Sequence, residues 1–150
     1  MNNIEILGTL ISNFTMNEAV KIIEELAKER KQAFVVTPNV DHIVRLQNDK
    51  EFKQIYKNAA LVLTDGMPIL WAARFLGTPL KEKISGSDLV PEICKLAERK
   101  GYKLFFLGGR PGAAQRAKEK LEEKFPFIKI VGAYAPSFGF ENYPGEDEKI

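Results

Sequence analysis

Cysteine, histidine and tryptophan each occur once in these 150 residues, and each scarcity excludes something. A lone cysteine rules out an internal disulfide. Cys94 falls on the apolar side of a predicted helix and reads as a small core residue. A lone histidine, His42, with no cysteine beside it offers no zinc site of ordinary spacing and reads as a surface or supporting residue. No Asp-x-Asp occurs, so nothing suggests a sugar nucleotide held through a divalent metal, and no metal or other cofactor is expected. The absence of Gly-x-Ser-x-Gly removes support for serine hydrolase chemistry. Long apolar runs are missing too: the longest such stretch lies within residues 66–76, well short of the roughly 20 residues a membrane span needs. Nor does one sign of charge dominate. The 22 basic and 20 acidic side chains leave +2, far from the excess that marks a nucleic-acid partner. The densest charge cluster, Glu146-Asp147-Glu148-Lys149, reads as a solvated helix face.

What remains is an ordinary globular composition, 45% apolar and 28% charged, at a length suited to a single domain with a real core. Met1 leads almost directly into a strand-like segment, so no signal peptide is expected; the protein is expected to be cytoplasmic, with any membrane contact peripheral.

Strand-like and helix-like segments alternate throughout. Residues 3–11 read as strand, broken at Gly8. Thr15 and Glu18 have the spacing of a capping box, and Met16, Ala19, Val20, Ile23, Leu26 and Ala27 recur at helical spacing, predicting a helix over 16–30. Ala33-Phe34-Val35-Val36 suits a buried parallel strand. A helical period resumes over 40–58 with a break near Asn48-Asp49, then a strand at 61–63 and a helix at 66–76. Residues 88–100 read as helix, capped by Ser87 or Asp88, with Pro91 in its first turn. A strand at 103–107, a helix at 111–124 and a strand at 128–131 follow, and residues 146–150 read as the first turn of another helix. Strands separated by helices mean βαβ units, hence a Rossmann-like α/β fold with a mainly parallel sheet and helices on both faces.

In such sheets ligands bind beyond the carboxyl ends of the strands. That rule selects residues 37–41, 64–68, 108–112 and 132–134, the last ending in Tyr134. Gly108-Gly109-Arg110-Pro111-Gly112 joins a strand to a helix, where glycines admit a ligand to the backbone and the helix N-terminus attracts a diphosphate. Arg110 replaces the second glycine of the dinucleotide fingerprint and no Lys-Ser/Thr follows, so the loop is either a nucleotide cradle of another kind or a plain tight turn. Asp65 is the leading catalytic candidate. As a strand-end residue it is either a helix N-cap or a general base for an attacking hydroxyl, and the two roles are compatible. Thr37, Asn39 and Asp41 form a polar cluster, with Asn39 suited to cap the next helix while Thr37 faces the crevice. Residues 66–76 are apolar nearly all round. They read as a central buried helix, with a subunit interface or a lipid-facing surface as the alternatives.

Taken together, Thr37-Pro38-Asn39-Val40-Asp41-His42, Leu63-Thr64-Asp65-Gly66-Met67-Pro68 with Trp71, Ile84-Ser85-Gly86-Ser87-Asp88-Leu89 and Phe106-Leu107-Gly108-Gly109-Arg110-Pro111-Gly112 resemble, in order and spacing, the WecG/TagA/CpsF glycosyltransferases. The likeness covers essentially the whole chain and is greatest to the members that build wall teichoic acid. It implies inverting transfer of N-acetylmannosamine from UDP-N-acetylmannosamine to N-acetylglucosamine on undecaprenyl diphosphate, at the inner face of the plasma membrane. It further implies Asp65 as general base toward the acceptor C4 hydroxyl, and a pocket lined by Thr37 and Asn39, with Asp41 and Ser87 in the same motifs. The UDP would rest on residues 108–112. Where the family commonly carries arginine before Gly-Ser-Asp, this chain offers Lys83 or Lys81, neither of which has the bidentate fork of a guanidinium. The family also continues into a further strand, a Gly-x-Pro-x-Gln-Glu motif and a basic segment. None of these lies within the 150 residues, so the expectation is one glycosyltransferase core domain lacking a C-terminal segment. A non-catalytic UDP-sugar-binding module is the competing reading, a dehydrogenase-like enzyme is disfavoured by the missing fingerprint, and self-association through residues 66–76 is left open.

Overall fold

A computed structural model of the chain describes residues 3–30, 32–143 and 145; the helical turn expected at 146–150 lies outside them. The fold is mixed α/β and Rossmann-like, and two of its three strand pairs are parallel. The chain divides into two compact units, Met1–Glu92 and Ile93–Ile150.

The first unit opens with an antiparallel hairpin of β1 (Asn3–Ile6) and β2 (Thr9–Ser12) instead of one interrupted strand. Both loop residues are left-handed, Leu7 at φ 49° and Gly8 at φ 70°, as the tightest hairpin turns demand. Leucine is a poor residue for that conformation, and Gln47 steadies it by donating Nε2–H to the Leu7 carbonyl at 3.0 Å. Helix α1 (Met16–Lys28) begins on the expected capping box: the Glu18 N–H donates to Thr15 Oγ1, and the Glu18 carboxylate accepts from the Thr15 N–H at 2.7 Å. It stops two residues before the expected end, because Arg30 turns left-handed at φ 51°.

Helices α2 (Val40–Asn48) and α3 (Lys50–Asn58) meet at Asp49, which ends one and caps the other through a bond from Phe52 N–H. Strands β3 (Val35–Val36) and β4 (Leu61–Val62) pair in parallel. Helix α4 (Met67–Phe75) follows β4, and the first turns of α5 (Gly86–Lys100) complete the unit. Ile6, Ile11, Ile43, Leu46, Tyr56, Val62, Ile69 and Ala73 form its buried core.

Two expectations are corrected here. Residues 66–76 are not buried all round: α4 buries Ile69 and Ala73, while Met67, Trp71, Phe75 and Leu76 are exposed. Helix α5 begins at Gly86, capped by Ser85 and not by Ser87 or Asp88, because the Ser85 carbonyl and hydroxyl accept from the Leu89 and Asp88 N–H groups. Pro91 therefore lies in the helix interior, where it denies the Ser87 carbonyl a helical donor.

In the second unit, β5 (Lys103–Leu107) pairs in parallel with β6 (Lys129–Tyr134), and the register slips at Leu104/Phe105 so that Val131 is bulged out. Gly132 lets the Phe105 ring pack close to the backbone: a methyl there would lie 2.5 Å from that ring and force it to shift. Helix α6 (Ala113–Lys124) starts two residues later than expected because Gly112 is left-handed at φ 78°. Cys94 is buried, as expected of a core residue, and that burial raises its thiol above the ordinary range.

Two outcomes test these local arguments. Leu7→Asn should raise stability by about 1 kcal/mol in denaturant unfolding, since asparagine tolerates the left-handed region and the leucine is exposed. The Glu18 carboxyl is lowered to about 2, chiefly by the bond from Thr15 N–H and then by Lys81. Its stabilising contribution is therefore complete above the unfolded value of 4.5 and fades as pH falls toward 2. Glu18→Ala should flatten that part of the stability profile in thermal melts, and an unaltered profile would count against the capping box.

Candidate functional site

Backbone pairing gathers the first unit's polar segments. The β3–β4 pairing continues past the strands: Leu63 N–H donates to the Val36 carbonyl at 2.8 Å and Asp65 N–H to the Pro38 carbonyl at 2.9 Å. On the other edge of β4, Val62 N–H donates to Ser12 Oγ, and the Thr64 carbonyl accepts from Ile84 N–H at 2.9 Å. Residues 37–39, 64–66 and 84–86 are thereby held side by side. A methyl placed on Gly86 would lie 3.5 Å from Thr37 Oγ1, which shows how closely the first and third approach.

Asn39 caps α2 by accepting from His42 N–H at 3.0 Å, as its sequence position suggested. Asp65 does not cap α4. That position belongs to Gly66, at φ 106°, with no side-chain bond. A glycine cap lets the chain turn sharply and leaves the preceding carboxylate uncommitted. Among the described residues, Asp65 makes no side-chain hydrogen bond or ion pair. It is half-buried and opens, with Asn39, Val40, Asp41 and Gly66, onto a shallow hollow of about 220 Å³.

Beside it stands a hydrogen-bonded group on the Ile84-Ser85-Gly86-Ser87-Asp88 segment. Lys83 Nζ donates to Asp88 Oδ2 at 2.9 Å, the Ser85 hydroxyl donates to the same oxygen at 2.6 Å, and the Ser87 hydroxyl lies 2.9 Å from Ser85 Oγ. Ser85 first and Lys83 second hold the Asp88 carboxyl below the ordinary range. The Lys83 ammonium is raised, chiefly by Asp88 and in lesser part by the charge of Asp65. Lys83, not Lys81, is thus the lysine that senses the charge of Asp65. Lys81 is tied to Glu18 at 2.9 Å, and its N–H donates to Asn13 Oδ1. His42 supports α2 from outside the hollow: its Nδ1 lies 2.8 Å from the Tyr56 hydroxyl, and it packs edge-on against Phe52 and Tyr56.

In the second unit Gly108 N–H donates to the Tyr134 carbonyl at 2.8 Å, which brings the predicted Tyr134 beside the glycine loop. Gly108, Gly109 and Gly112 all have positive φ, at 105°, 83° and 78°. The α6 cap is Gly112 with no side-chain bond, so among the described residues the Ala114 and Gln115 N–H groups at the helix start face no capping oxygen. Arg110 is exposed and, among the described residues, unpaired. Arg116, one turn into α6, comes within 3.0 Å of where a Gly112 methyl would stand. Uncapped amides with two guanidiniums suit an anionic group.

Three contributors escaped the sequence reading. Ser85 was seen only as part of a motif, and Asp88 there and as a candidate cap but not as Ser85's partner, although Ser-x-x-Asp was the available capping signal. Arg116 carried no signal beyond its spacing of four from Gly112. A larger cavity of about 520 Å³, walled by the hairpin, α3 and the start of β4, contains none of the predicted site residues.

Fold and site together define a Rossmann-like α/β protein whose polar loops collect at strand ends. The sequence profile of the Glycosyl transferase WecG/TagA/CpsF family matches residues 4–150, and the chain belongs to that family. It is 23% identical over 132 residues to a protein of Bacillus spizizenii (strain ATCC 23059 / NRRL B-14472 / W23), covering 88% of this chain and 50% of that one. It is 26% identical over 130 residues to a protein of Staphylococcus aureus (strain NCTC 8325 / PS 47), covering 85% and 51%. Both relatives bear the name N-acetylglucosaminyldiphosphoundecaprenol N-acetyl-beta-D-mannosaminyltransferase. The chain spans about half the length of these curated relatives.

Ser85→Ala should cost about 1 kcal/mol, the usual loss for an N-cap, and should move the Asp88 carboxyl up toward its ordinary value. A carboxyl-carbon NMR titration reads the second effect, and an unmoved Asp88 would contradict the bonding described.

Proposed function

We propose that this chain carries the catalytic core of an inverting glycosyltransferase. The donor is UDP-N-acetylmannosamine and the acceptor is undecaprenyl-diphosphate-linked N-acetylglucosamine, as in synthesis of the wall teichoic acid linkage unit at the inner face of the plasma membrane. Family membership and the relatives' names support the reaction class. The observation that carries the residue assignment is the uncommitted carboxylate of Asp65, half-buried at a hollow and freed from capping by Gly66. That Gly66 and not Asp65 takes the cap position of α4 supports a role for Asp65 other than capping, and the non-catalytic UDP-sugar-binding module is the reading this competes with.

The reaction is a single displacement. An acceptor hydroxyl oxygen forms a bond to the anomeric carbon as the bond from that carbon to the UDP oxygen breaks. Asp65 takes the hydroxyl proton. Asn39 and Asp41 border the hollow beside Asp65, and Thr37, which lies near Gly86, and Ser87 complete the sugar-binding space. Lys83, held by Asp88, lends positive charge near Asp65. The Gly108-Gly109-Arg110-Pro111-Gly112 loop, with Tyr134 beside it, grips the diphosphate through backbone amides, Arg110 and Arg116, stabilising the charge that builds on UDP as it leaves.

Calorimetry should detect binding of UDP and UDP-N-acetylmannosamine but not NAD, unchanged by magnesium, and Arg110→Ala should weaken it about tenfold. Asp65→Asn should lower transfer by about 10²–10⁴ while leaving UDP affinity intact. Full transfer by that variant would refute the base assignment, and NAD binding would refute the donor class.

A further inference from the structure

The cavity of about 520 Å³ between the hairpin, α3 and the start of β4 has a volume typical of sites that enclose drug-sized molecules. Four of its lining residues are buried: Leu46, Tyr56, Val62 and Thr9. The first three present apolar surface, and the polar tip of Tyr56 is already engaged, 2.8 Å from His42 Nδ1. Thr9 is the exception. It is 5% exposed, and among the described residues its hydroxyl meets no hydrogen-bond partner. A buried hydroxyl in that condition has lost its bonds to water and gained none in return, which points to something that supplies the missing bond.

Positive charge stands beside it. A methyl placed on Gly8, the residue before Thr9, would lie 3.3 Å from Lys53 Nζ, so that ammonium sits at the hairpin turn. Lys57 lines the cavity one helical turn further along α3, and among the described residues neither lysine makes an ion pair or hydrogen bond. Glu5 is the one lining carboxylate, so the wall carries two positive charges against one negative.

We infer that this cavity binds a compact apolar molecule bearing a single carboxylate, held by the Thr9 hydroxyl and the Lys53 ammonium. One carboxylate accepts from both donors, through bonds of the stronger, charge-assisted kind, and balances the one net positive charge of the wall. The apolar body lies against Leu46, Tyr56 and Val62, where its release from water is favourable. The site is independent of the proposed transfer, since neither Asp65 nor the glycine loop lines it.

Ibuprofen and its neutral primary amide are matched probes of the same shape. In NMR titrations of the isotope-labelled chain, the acid should shift the backbone amides of Thr9, Leu10 and Ala60, with a Kd on the order of 10⁻⁴ M. The neutral amide should bind about tenfold more weakly, and Lys53→Met should weaken the acid by a similar factor. Thr9→Val should weaken the acid about fivefold while raising the melting temperature, because it removes a buried hydroxyl that has no partner in the free protein. Saturating UDP should leave the acid's affinity unaltered. Silence at Thr9, Leu10 and Ala60, or equal affinity for acid and amide, would overturn the inference. So would shifts centred on the exposed Trp71 and Phe75, or displacement by UDP, which would put the acid elsewhere on the chain. A Thr9→Val protein that melted lower and bound as well as the parent would show the hydroxyl satisfied by trapped water and would also sink the assignment.

Discussion

Buried backbone groups must be paired, and around β4 that requirement organises everything else in the first unit. One edge of this short strand is bonded to the segment that follows β3, through the Val36 and Pro38 carbonyls. The other edge takes Ser12 Oγ and the Ile84 N–H. These four bonds come from segments far apart in sequence, and they fix where each connecting loop emerges. Thr37, Asp65 and Gly86 share a neighbourhood because the main chain leaves them no other place. Leu61, Val62 and Leu63 are buried beneath, so the pairing is also shielded from water.

On that frame the local choices divide the work between charge fixed in place and charge left free. Asp88 is spent on structure: it accepts from Ser85 and Lys83 and its segment starts α5. Asn39 and Asp49 are likewise spent as caps. Asp65, one residue before a glycine cap, is not. The distinction turns on a single backbone feature, the positive φ of Gly66, which any side chain at that position would strain. The second unit applies the same device in the opposite sense. Gly112 leaves the start of α6 without a capping oxygen, so its amides remain available to an anion along with Arg110 and Arg116.

The two halves of α4 show how one sequence serves two environments. Its inner positions, Ile69 and Ala73, enter the core with Ile43 and Val62. Its outer positions bring tryptophan and phenylalanine to the surface, next to the residues assigned to chemistry. A helix that was apolar only to fill a core would need no such side chains on its outer face.

Much of this was legible in the residues. The capping box at Thr15 and Glu18, the break at Asp49, the Asn39 cap and the buried strand at 61–63 follow from side-chain chemistry acting over four or five residues, which sequence displays directly. The four glycine- and aspartate-rich segments announced themselves for the same reason. The errors fell where a distant partner or a backbone angle decided. Residues 66–76 looked buried because composition does not reveal which flank a neighbouring element covers. Ser85 displaced Ser87 as cap because Ile84 is bonded to Thr64, twenty positions away. Lys81 and Lys83 are equivalent in sequence and were separated only by Glu18 and Asp88. The sequence by itself thus determined the element order, the α/β class and the inventory of reactive side chains. Tertiary structure decided which carboxylate, among the described residues, was left without a partner and which flank of α4 they leave exposed, since both depend on contacts between residues that are not neighbours along the chain.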